Sequence, residues 1–172
     1  MSETFSPTAQ NEPPPDTRGF RFNHTMVRIK DAAASLAFYQ DVLGFRLVDR
    51  RDFPQGGFTL FFLMLSDAPL DVPDDAEARR SWLATQTGVL ELTHNHGTEN
   101  DPGFRHHDGN SEPKGFGHLC VSVPDIRAAC ERFEREGVAF RKRLSDGTMR
   151  DIAFIQDPDG YWIEVIQPRP HS

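Results

Sequence analysis

The chain has 172 residues, which is enough for one domain or for two small modules that share a core. Its formal net charge of −7 argues against nucleic acid as a partner, because nucleic-acid binding requires a basic face. No apolar run approaches the ~20 residues of a membrane span, and the first residues lack the apolar run of a signal peptide. Two cysteines, Cys120 and Cys130, are too few for a disulfide framework. A protein of the reducing cytoplasm is therefore expected.

The N-terminal half predicts an arm followed by a first module. Residues 1–20 are rich in Pro, Ser and Thr and contain too few apolar groups to fold alone, so we expect an arm that packs against a partner subunit. Residues 21–95 predict the order strand, helix, strand, strand, strand, with Asp31 as the helix N-cap and a glycine after the helix. A helical insertion at 67–87 separates the third and fourth strands, and we expect its Arg79 and Arg80 on a solvated helix face rather than in a binding patch.

The C-terminal half predicts a second copy of the same module. Residues 96–115 are polar, contain Gly, Asn, Asp and Pro, and are expected to form an irregular linker. Residues 116–168 repeat the order strand, helix, strand, strand, strand, with Asp125 as the N-cap, and residues 169–172 form a short tail. The sequence therefore predicts an α+β protein built from two βαβββ modules. The predicted strands include 22–29 in the first module and 150–156 in the second.

Both modules place a histidine on the first strand and a glutamate on the last. His24 and His118 each lie seven residues before the aspartate that caps the module's helix. Glu91 and Glu164 each lie in an apolar strand, where an unpaired carboxylate would be costly to bury. The two His-to-Glu spacings differ by 21 residues, which is about the length of the insertion. The two pairs are therefore equivalent positions of a duplicated module.

Packing of the modules around a pseudo-two-fold axis would bring these four side chains together. Two imidazoles and two carboxylates suit a borderline divalent metal such as zinc, nickel or cobalt, with water in the remaining positions. A single histidine at a strand start is more often a surface or hydrogen-bonded residue. The internal repeat of the pair favours a metal site over that interpretation.

Four segments of the chain contain motifs that occur together in one known family. They are His24–Asp31, Leu90–Asn95, Gly115–His118 and Phe154–Glu164. Together they resemble the glyoxalase I family, in its longer form, within the vicinal-oxygen-chelate superfamily, and the resemblance runs in order from about 22 to 168. It implies curved mixed sheets and a metal site between paired modules, across the interface of a homodimer.

The resemblance also implies roles for individual residues. His24, Glu91, His118 and Glu164 match four ligands of one divalent metal ion, with Zn²⁺ favoured and Ni²⁺ or Co²⁺ as alternatives. The residues that match contacts to the substrate are Arg28 and Asn95 from one subunit, Lys114 and Lys142 from the other, and the apolar pocket of Phe53, Leu60, Phe62, Met149 and Trp162. Lys114 departs from the family, whose longer members have arginine there, and lysine lacks the bidentate fork.

The implied reaction is the isomerisation of the methylglyoxal–glutathione hemithioacetal to S-lactoylglutathione through an enediolate, which detoxifies methylglyoxal. A divalent metal acts as a Lewis acid and makes a poorly acidic C–H bond easier to deprotonate. A carboxylate takes the proton and returns it to the neighbouring carbon. In the family, the base is assigned mainly to the position of Glu164, with the position of Glu91 able to act on the other face.

Three other functions are open from the residues alone. A ring-cleaving dioxygenase would use Fe(II) with two histidines and one carboxylate, and a fourth protein ligand counts against it. A binding or resistance module, or an interaction protein with a structural metal, would show no turnover. A histidine-rich region is expected to form a polar loop rather than a second metal site; it contains His94, His96, His106 and His107.

Overall fold

The computed structural model describes residues 12–168. The first eleven residues of the predicted arm and the predicted tail, 169–172, lie outside the described residues. The rest of the arm contains one short 3₁₀ turn, Pro15–Thr17, and is largely exposed. No helix in the described range is long and apolar enough to cross a membrane.

The two predicted modules are both present, and their elements follow the predicted order. The first module consists of β1 (His24–Ile29), α1 (Ala32–Ala37) with a π turn (Phe38–Val42), β2 (Arg46–Phe53), β3 (Phe58–Met64), α2 (Ala76–Ala84) on the insertion, and β4 (Val89–Asn95). The second module consists of β5 (His118–Ser122), α3 (Ile126–Arg135), β6 (Phe140–Lys142), β7 (Ala153–Gln156) and β8 (Trp162–Ile166).

Each module forms one four-stranded mixed sheet with the same topology. The strand order is β1-β4-β3-β2 in sheet one and β5-β8-β7-β6 in sheet two. In both sheets the first strand of the module is parallel to the last, and the remaining neighbours are antiparallel. The duplicated α+β architecture predicted from the sequence is therefore confirmed.

The helix after the first strand begins in the same way in both modules. The carboxylate of Asp31 accepts hydrogen bonds from the amides of Ala33 and Ala34, and Asp125 accepts the equivalent pair in α3. These bonds satisfy amides that have no partner within the helix. Gly44 and Gly137 follow the helices with φ of 81° and 71°, a conformation that glycine adopts without a steric penalty.

Two predicted strands are longer than the observed ones. The predicted strand 22–29 begins at His24, and Phe22 before it is 79% exposed. The predicted strand 150–156 begins at Ala153, because the loop before it is held by another interaction. The ammonium of Lys142 donates hydrogen bonds to carbonyls inside this loop, which keeps residues 143–152 out of the sheet.

One hydrophobic core joins the two modules. The π turn after α1 contributes Tyr39 to it, and α3 contributes Ile126, Cys130 and Phe133. The sheets contribute Val27, Ile29, Phe61, Leu63, Leu90 and Leu92 from the first module, and Val121, Ala153, Ile155, Ile163 and Val165 from the second. The modules therefore share their interior and are not independent domains.

Buried polar contacts reinforce the junction between the modules. Asp157, in the turn between β7 and β8, accepts a hydrogen bond from the Tyr39 hydroxyl at 2.9 Å. Asp159 in the same turn accepts hydrogen bonds from the backbone amide of Lys30 at 3.0 Å and from the Ser35 hydroxyl at 3.4 Å. A turn of the second module therefore fixes the start of the helix of the first.

The insertion covers part of the other face of sheet one. A second apolar cluster lies there, formed by Val48, Phe62, Met64, Leu83 and Val89 with Leu60, Leu70, Val72 and Trp82 around it. The prediction that Arg79 lies on a solvated helix face is wrong. The insertion folds back onto β2, so Arg79 Nε lies 2.9 Å from one carboxylate oxygen of buried Asp49. The other oxygen of Asp49 lies 2.7 Å from Arg51 Nε.

Candidate metal-binding site

The first His–Glu pair lies on neighbouring parallel strands of sheet one. His24 on β1 is opposite Val89 on β4, and Glu91 lies two residues further along, so both side chains point to the same face. His24 Nε2 is 3.4 Å from Glu91 Oε2. The histidine side chain is 43% exposed and the glutamate side chain 12%. We call this pair half-site one.

The second His–Glu pair repeats the arrangement in sheet two. His118 on β5 is opposite Trp162 on β8, and Glu164 again lies two residues further along. His118 Nε2 is 3.2 Å from Glu164 Oε2, with 41% of the histidine side chain exposed. We call this pair half-site two. The equal offset means that the same local geometry is built twice.

A phenylalanine occupies the same position beside each pair. Phe62 on β3 is opposite Glu91, and its ring lies edge-on to the ring of His24 at 6.4 Å. Phe154 on β7 is opposite Glu164, and its ring lies edge-on to the ring of His118 at 5.3 Å. Phe62 is one of the predicted pocket residues. Phe154 was missed, although the sequence repeat contains the signal, since Phe154 is the counterpart of Phe62.

Asn23 is a further residue of half-site one that the sequence did not reveal. Its Oδ1 lies 2.8 Å from His24 Nδ1, while its Nδ2 donates hydrogen bonds to the carbonyls of Leu83 and Gln86 at 2.8 and 2.9 Å. Leu83 belongs to α2, and Gln86 follows the helix. The insertion therefore contacts the predicted metal ligand through one amide side chain.

Half-site two has a thiol beside its carboxylate. Cys120 on β5 is opposite Glu164 and lies on the exposed face, whereas Met26 holds the equivalent position in half-site one. Burial and the neighbouring Glu164 carboxylate raise the pKa of the Cys120 thiol to about 11. The thiol is therefore protonated at neutral pH.

The four predicted ligands do not converge within one chain. Between residues 12 and 168, no group of three or more His, Cys, Asp or Glu side chains is close enough to hold a metal ion. Each half-site offers one imidazole nitrogen and one carboxylate, with the histidine open to solvent. Two half-sites brought face to face would supply the two nitrogens and two carboxylates that suit zinc, nickel or cobalt.

The residues predicted to hold the substrate from the first module lie next to half-site one. Arg28 is four residues after His24 on β1, and Asn95 is four residues after Glu91 on β4, so all four share one face. Arg28 Nη1 donates a hydrogen bond to Asn95 Oδ1 at 3.0 Å. An arginine and an amide are therefore already oriented beside the pair.

The two predicted lysines differ in their surroundings. The side chain of Lys114 is 72% exposed, and its Nζ is 3.6 Å from Glu112. Lys142 Nζ donates hydrogen bonds to the carbonyls of Arg143, Met149 and Ile152 at 3.1, 2.5 and 3.0 Å. Lys114 is available to a ligand, whereas Lys142 is occupied by its own loop.

The predicted pocket residues divide between the two sheets. Phe53 stacks on Phe58 at 4.7 Å at one end of sheet one, and Leu60 and Phe62 lie between that end and half-site one. Trp162 belongs to half-site two, and Met149 lies in the loop before β7 and is 57% exposed. A pocket that includes all five residues can form only where half-site one and half-site two face each other.

The histidine-rich region forms polar contacts in its loops. His94 Nε2 lies 2.8 Å from Glu99, and His96 Nε2 lies 3.0 Å from the Thr59 hydroxyl. His107 Nδ1 accepts a hydrogen bond from the amide of Gly109 at 2.9 Å. The contacts of His96 and His107 agree with the expected polar loop, whereas His94 lies on β4.

Comparison with known proteins places this duplicated arrangement in a family. The family model of the Glyoxalase/Bleomycin resistance protein/Dioxygenase superfamily matches residues 21–165. The chain belongs to this superfamily. The matched range begins just before β1 and ends inside β8, so it includes both half-sites of this superfamily member.

Two bacterial relatives within the superfamily share most of their length with the chain. The chain is 61% identical to the lactoylglutathione lyase of Pseudomonas putida over 163 residues, which cover 95% of this chain and 92% of that protein. It is 51% identical to the lactoylglutathione lyase of Pseudomonas aeruginosa over 156 residues, which cover 91% and 87%. A solved structure of the trypanothione-dependent glyoxalase I of Leishmania major matches with a TM-score of 0.63 and 27% identity, over 86% of each chain.

Proposed function

We propose that the chain is a metal-dependent lactoylglutathione lyase that converts the hemithioacetal of methylglyoxal and glutathione into S-lactoylglutathione. The observation that supports it is the repeated triplet of histidine, glutamate and phenylalanine, in one register, on the open face of each sheet. The names of the relatives in both Pseudomonas species support the same reaction. A location in the cytoplasm belongs to the proposal, because the thiol substrate stays reduced there.

The active site is formed between two chains of a homodimer. Half-site one of one chain faces half-site two of the partner chain, and the dimer has two equivalent sites. The arrangement explains why each half-site offers only two donor groups and leaves its histidine exposed. It also explains why the predicted apolar pocket is divided between the two sheets.

His24, Glu91, His118 and Glu164 hold one divalent metal ion, with Zn²⁺ favoured and Ni²⁺ or Co²⁺ as alternatives. When bound, the metal supplies Lewis acidity that makes the C–H bond next to sulfur easier to deprotonate. Glu164 accepts the proton from this carbon and returns it to the neighbouring carbon, and Glu91 approaches from the other side. The reaction moves hydrogen within one molecule, so it needs no external oxidant or reductant.

Other predicted residues bind the substrate. Arg28 and Asn95 hold the glutathione moiety from one subunit, and Lys114 reaches it from the other, where the family resemblance also implies Lys142. The methyl group of methylglyoxal enters the apolar pocket, which consists of Phe53, Leu60, Phe62, Met149 and Trp162. The pocket excludes water from the reacting carbons.

The experiment that tests the proposal is metal depletion followed by re-addition. Purified protein is treated with a chelator, and formation of the thioester from the hemithioacetal is followed by absorbance. We expect loss of turnover after chelation and recovery with Zn²⁺, Ni²⁺ or Co²⁺ at one ion per site. Full turnover of the metal-free protein would contradict the proposal, and oxygen-dependent cleavage of a catechol by the Fe(II)-loaded protein would favour the dioxygenase.

A further inference from the structure

Lys142 and Arg141 are neighbours on β6, and the structure gives them different environments. An ammonium group has three N–H donors, and the three carbonyl contacts of Lys142 use all of them. The side chain therefore holds the loop 143–152 in place. A ligand could reach this ammonium only by displacing a loop carbonyl.

Arg141 is exposed and available to a ligand. Its guanidinium carbon lies 5.0 Å from the centre of the Trp162 ring, a cation–π contact that fixes the side chain over the ring. Among residues 12–168, the Arg141 side chain has no hydrogen-bond or ion-pair partner. Stacking on an aromatic face leaves the N–H groups at the edge of the guanidinium free to donate.

A continuous row of aromatic rings connects Arg141 to half-site two. The Trp162 ring is 5.8 Å from the Phe154 ring, which is 5.3 Å from the His118 ring. Arg141 therefore lies at the rim of half-site two, on the face that also presents Glu164. An extended tripeptide spans about 10 Å, so a glutathione moiety extends well beyond the metal ligands and can follow this row of rings toward the rim.

We propose that Arg141, stacked on Trp162, binds a carboxylate of the glutathione moiety, and that Lys142 acts indirectly by ordering the loop 143–152. The inference rests on the proposed function. A guanidinium forms two parallel hydrogen bonds with a carboxylate, a geometry that lysine cannot provide. In a chain with a formal charge of −7, a fixed cation at the rim also offsets the repulsion of an anionic thiol conjugate.

The test compares Arg141→Met, Arg141→Lys and wild-type protein on two hemithioacetals, one made from glutathione and one from glutathione diethyl ester. Methionine keeps most of the apolar stem over Trp162 and removes the charge. With glutathione, we expect Arg141→Met to raise KM about 5- to 20-fold with kcat within about twofold, and Arg141→Lys to raise KM less. With the diester, which has no free carboxylate, wild-type and Arg141→Met proteins are expected to have the same KM.

The matched control is Arg127→Met, which removes an exposed arginine from α3, the helix that packs against the core face of sheet two. Its KM for glutathione hemithioacetal should equal that of the wild type. A non-reacting ligand, S-methylglutathione, gives a direct Kd that should rise with KM in Arg141→Met. Circular dichroism of each variant checks the fold, and Arg141→Lys still tests the bidentate hydrogen bonding if Arg141→Met does not fold.

Three results would overturn the inference. The first is an unchanged KM in Arg141→Met. The second is a rise in KM in Arg141→Met that persists with the diester. The third is a rise in KM that occurs in Lys142→Met but not in Arg141→Met and that disappears with the diester. A wild-type protein that does not turn over the hemithioacetal would overturn both this inference and the proposed function. An active wild type with an unaffected Arg141→Met variant would overturn the inference alone.

Discussion

Asn23 orients the ring of His24 through a hydrogen bond of 2.8 Å between Asn23 Oδ1 and His24 Nδ1. The Asn23 amide nitrogen is already bonded to two carbonyls of the insertion, so its oxygen must face the ring. An oxygen can only accept, and His24 Nδ1 therefore carries the proton. In the neutral ring the lone pair is then on Nε2, which lies 3.4 Å from Glu91 Oε2, and this is the form of imidazole that binds a metal.

This relationship predicts that Asn23→Ala weakens metal binding. Loss of the bond frees the tautomer and orientation of His24, and the removal of such a supporting partner lowers metal affinity by about 10- to 100-fold. The measurement is a Zn²⁺ titration in competition with a chromophoric chelator. Asn100→Ala is the control, because within residues 12–168 the one hydrogen bond of that side chain is to its neighbour Glu99. Equal affinities in Asn23→Ala and wild type would show that the hydrogen bond has no role in ligand orientation.

The two glutamates are expected to differ in their effect on turnover. Glu164→Gln keeps an oxygen that can bind a metal but removes the proton acceptor, so kcat at saturating Zn²⁺ should fall about 10²- to 10⁴-fold. Glu91→Gln should lower kcat less, because the proposal assigns the main base to Glu164. Steady-state assays with metal content measured on each sample separate lost turnover from lost metal. A kcat near the wild-type value in Glu164→Gln would remove this residue from the role of base.

The buried carboxylate of Asp49 is expected to stabilise the fold through the insertion. Its oxygens lie 2.7 Å from Arg51 Nε and 2.9 Å from Arg79 Nε, and the Asp49 side chain is only 5% exposed. Asp49→Ala leaves two partly buried guanidinium groups without this partner and should cost about 2–4 kcal/mol of unfolding free energy. Glu134→Ala, which breaks the exposed pair with Arg143, should cost about 0–1 kcal/mol. Urea denaturation of both variants gives the comparison, and equal losses would contradict the prediction.

The stability of the chain should depend on the protonation of Asp157. Burial is the main cause that raises the pKa of Asp157 from 3.8 to about 6. At a pH between these two pKa values, the Asp157 carboxyl is protonated in the folded state and ionised in the unfolded state. The free-energy cost of burying the ionised carboxylate is therefore present at neutral pH, and it disappears as the pH falls from about 6 to about 4.

The corresponding experiment compares wild type with Asp157→Asn, which cannot ionise. The unfolding free energy of wild type minus that of the variant should rise by about 3 kcal/mol when the pH is lowered from 7 to 4. Groups that titrate alike in both proteins cancel in this difference. A difference that is independent of pH would mean that Asp157 titrates at its ordinary value in the folded chain.

The sheets and the two His–Glu pairs could be predicted from the sequence because both follow from local patterns. Alternation with a period of two assigns each strand residue to a face, and the repeat aligns Glu91 with Glu164 once the insertion is set aside. The aspartate caps and the glycines after α1 and α3 are equally local signals. The shared superfamily fold confirms the predicted sheets, and the role of the two pairs as metal ligands stays a prediction.

The supporting contacts could not be predicted because they depend on distant segments or on irregular pairing. Asn23 is oriented by carbonyls about sixty residues away, and Arg79 reaches Asp49 only after the insertion folds back. The pairing of β6 with β7 shifts register between Phe140 and Lys142, so simple alternation does not assign the faces of Arg141 and Lys142. A bulge of this kind has no clear mark in the local sequence.

In the proposed homodimer, each active site takes half-site one from one chain and half-site two from its partner. Subunit mixing of His24→Ala with His118→Ala tests it most directly, with turnover measured after the two proteins are refolded together. In a mixed dimer, one site loses both histidines and the other regains all four ligands. Random mixing should therefore restore about a quarter of wild-type turnover from two inactive proteins.

The control mixes His24→Ala with Glu91→Ala, two variants of the same half-site, for which no mixed dimer contains an intact site. That mixture should remain inactive while the mixture of His24→Ala and His118→Ala regains turnover. If the mixture of His24→Ala and His118→Ala also stays inactive although a tag on one variant co-purifies the other variant, the site is not shared between chains and the proposed dimer is wrong.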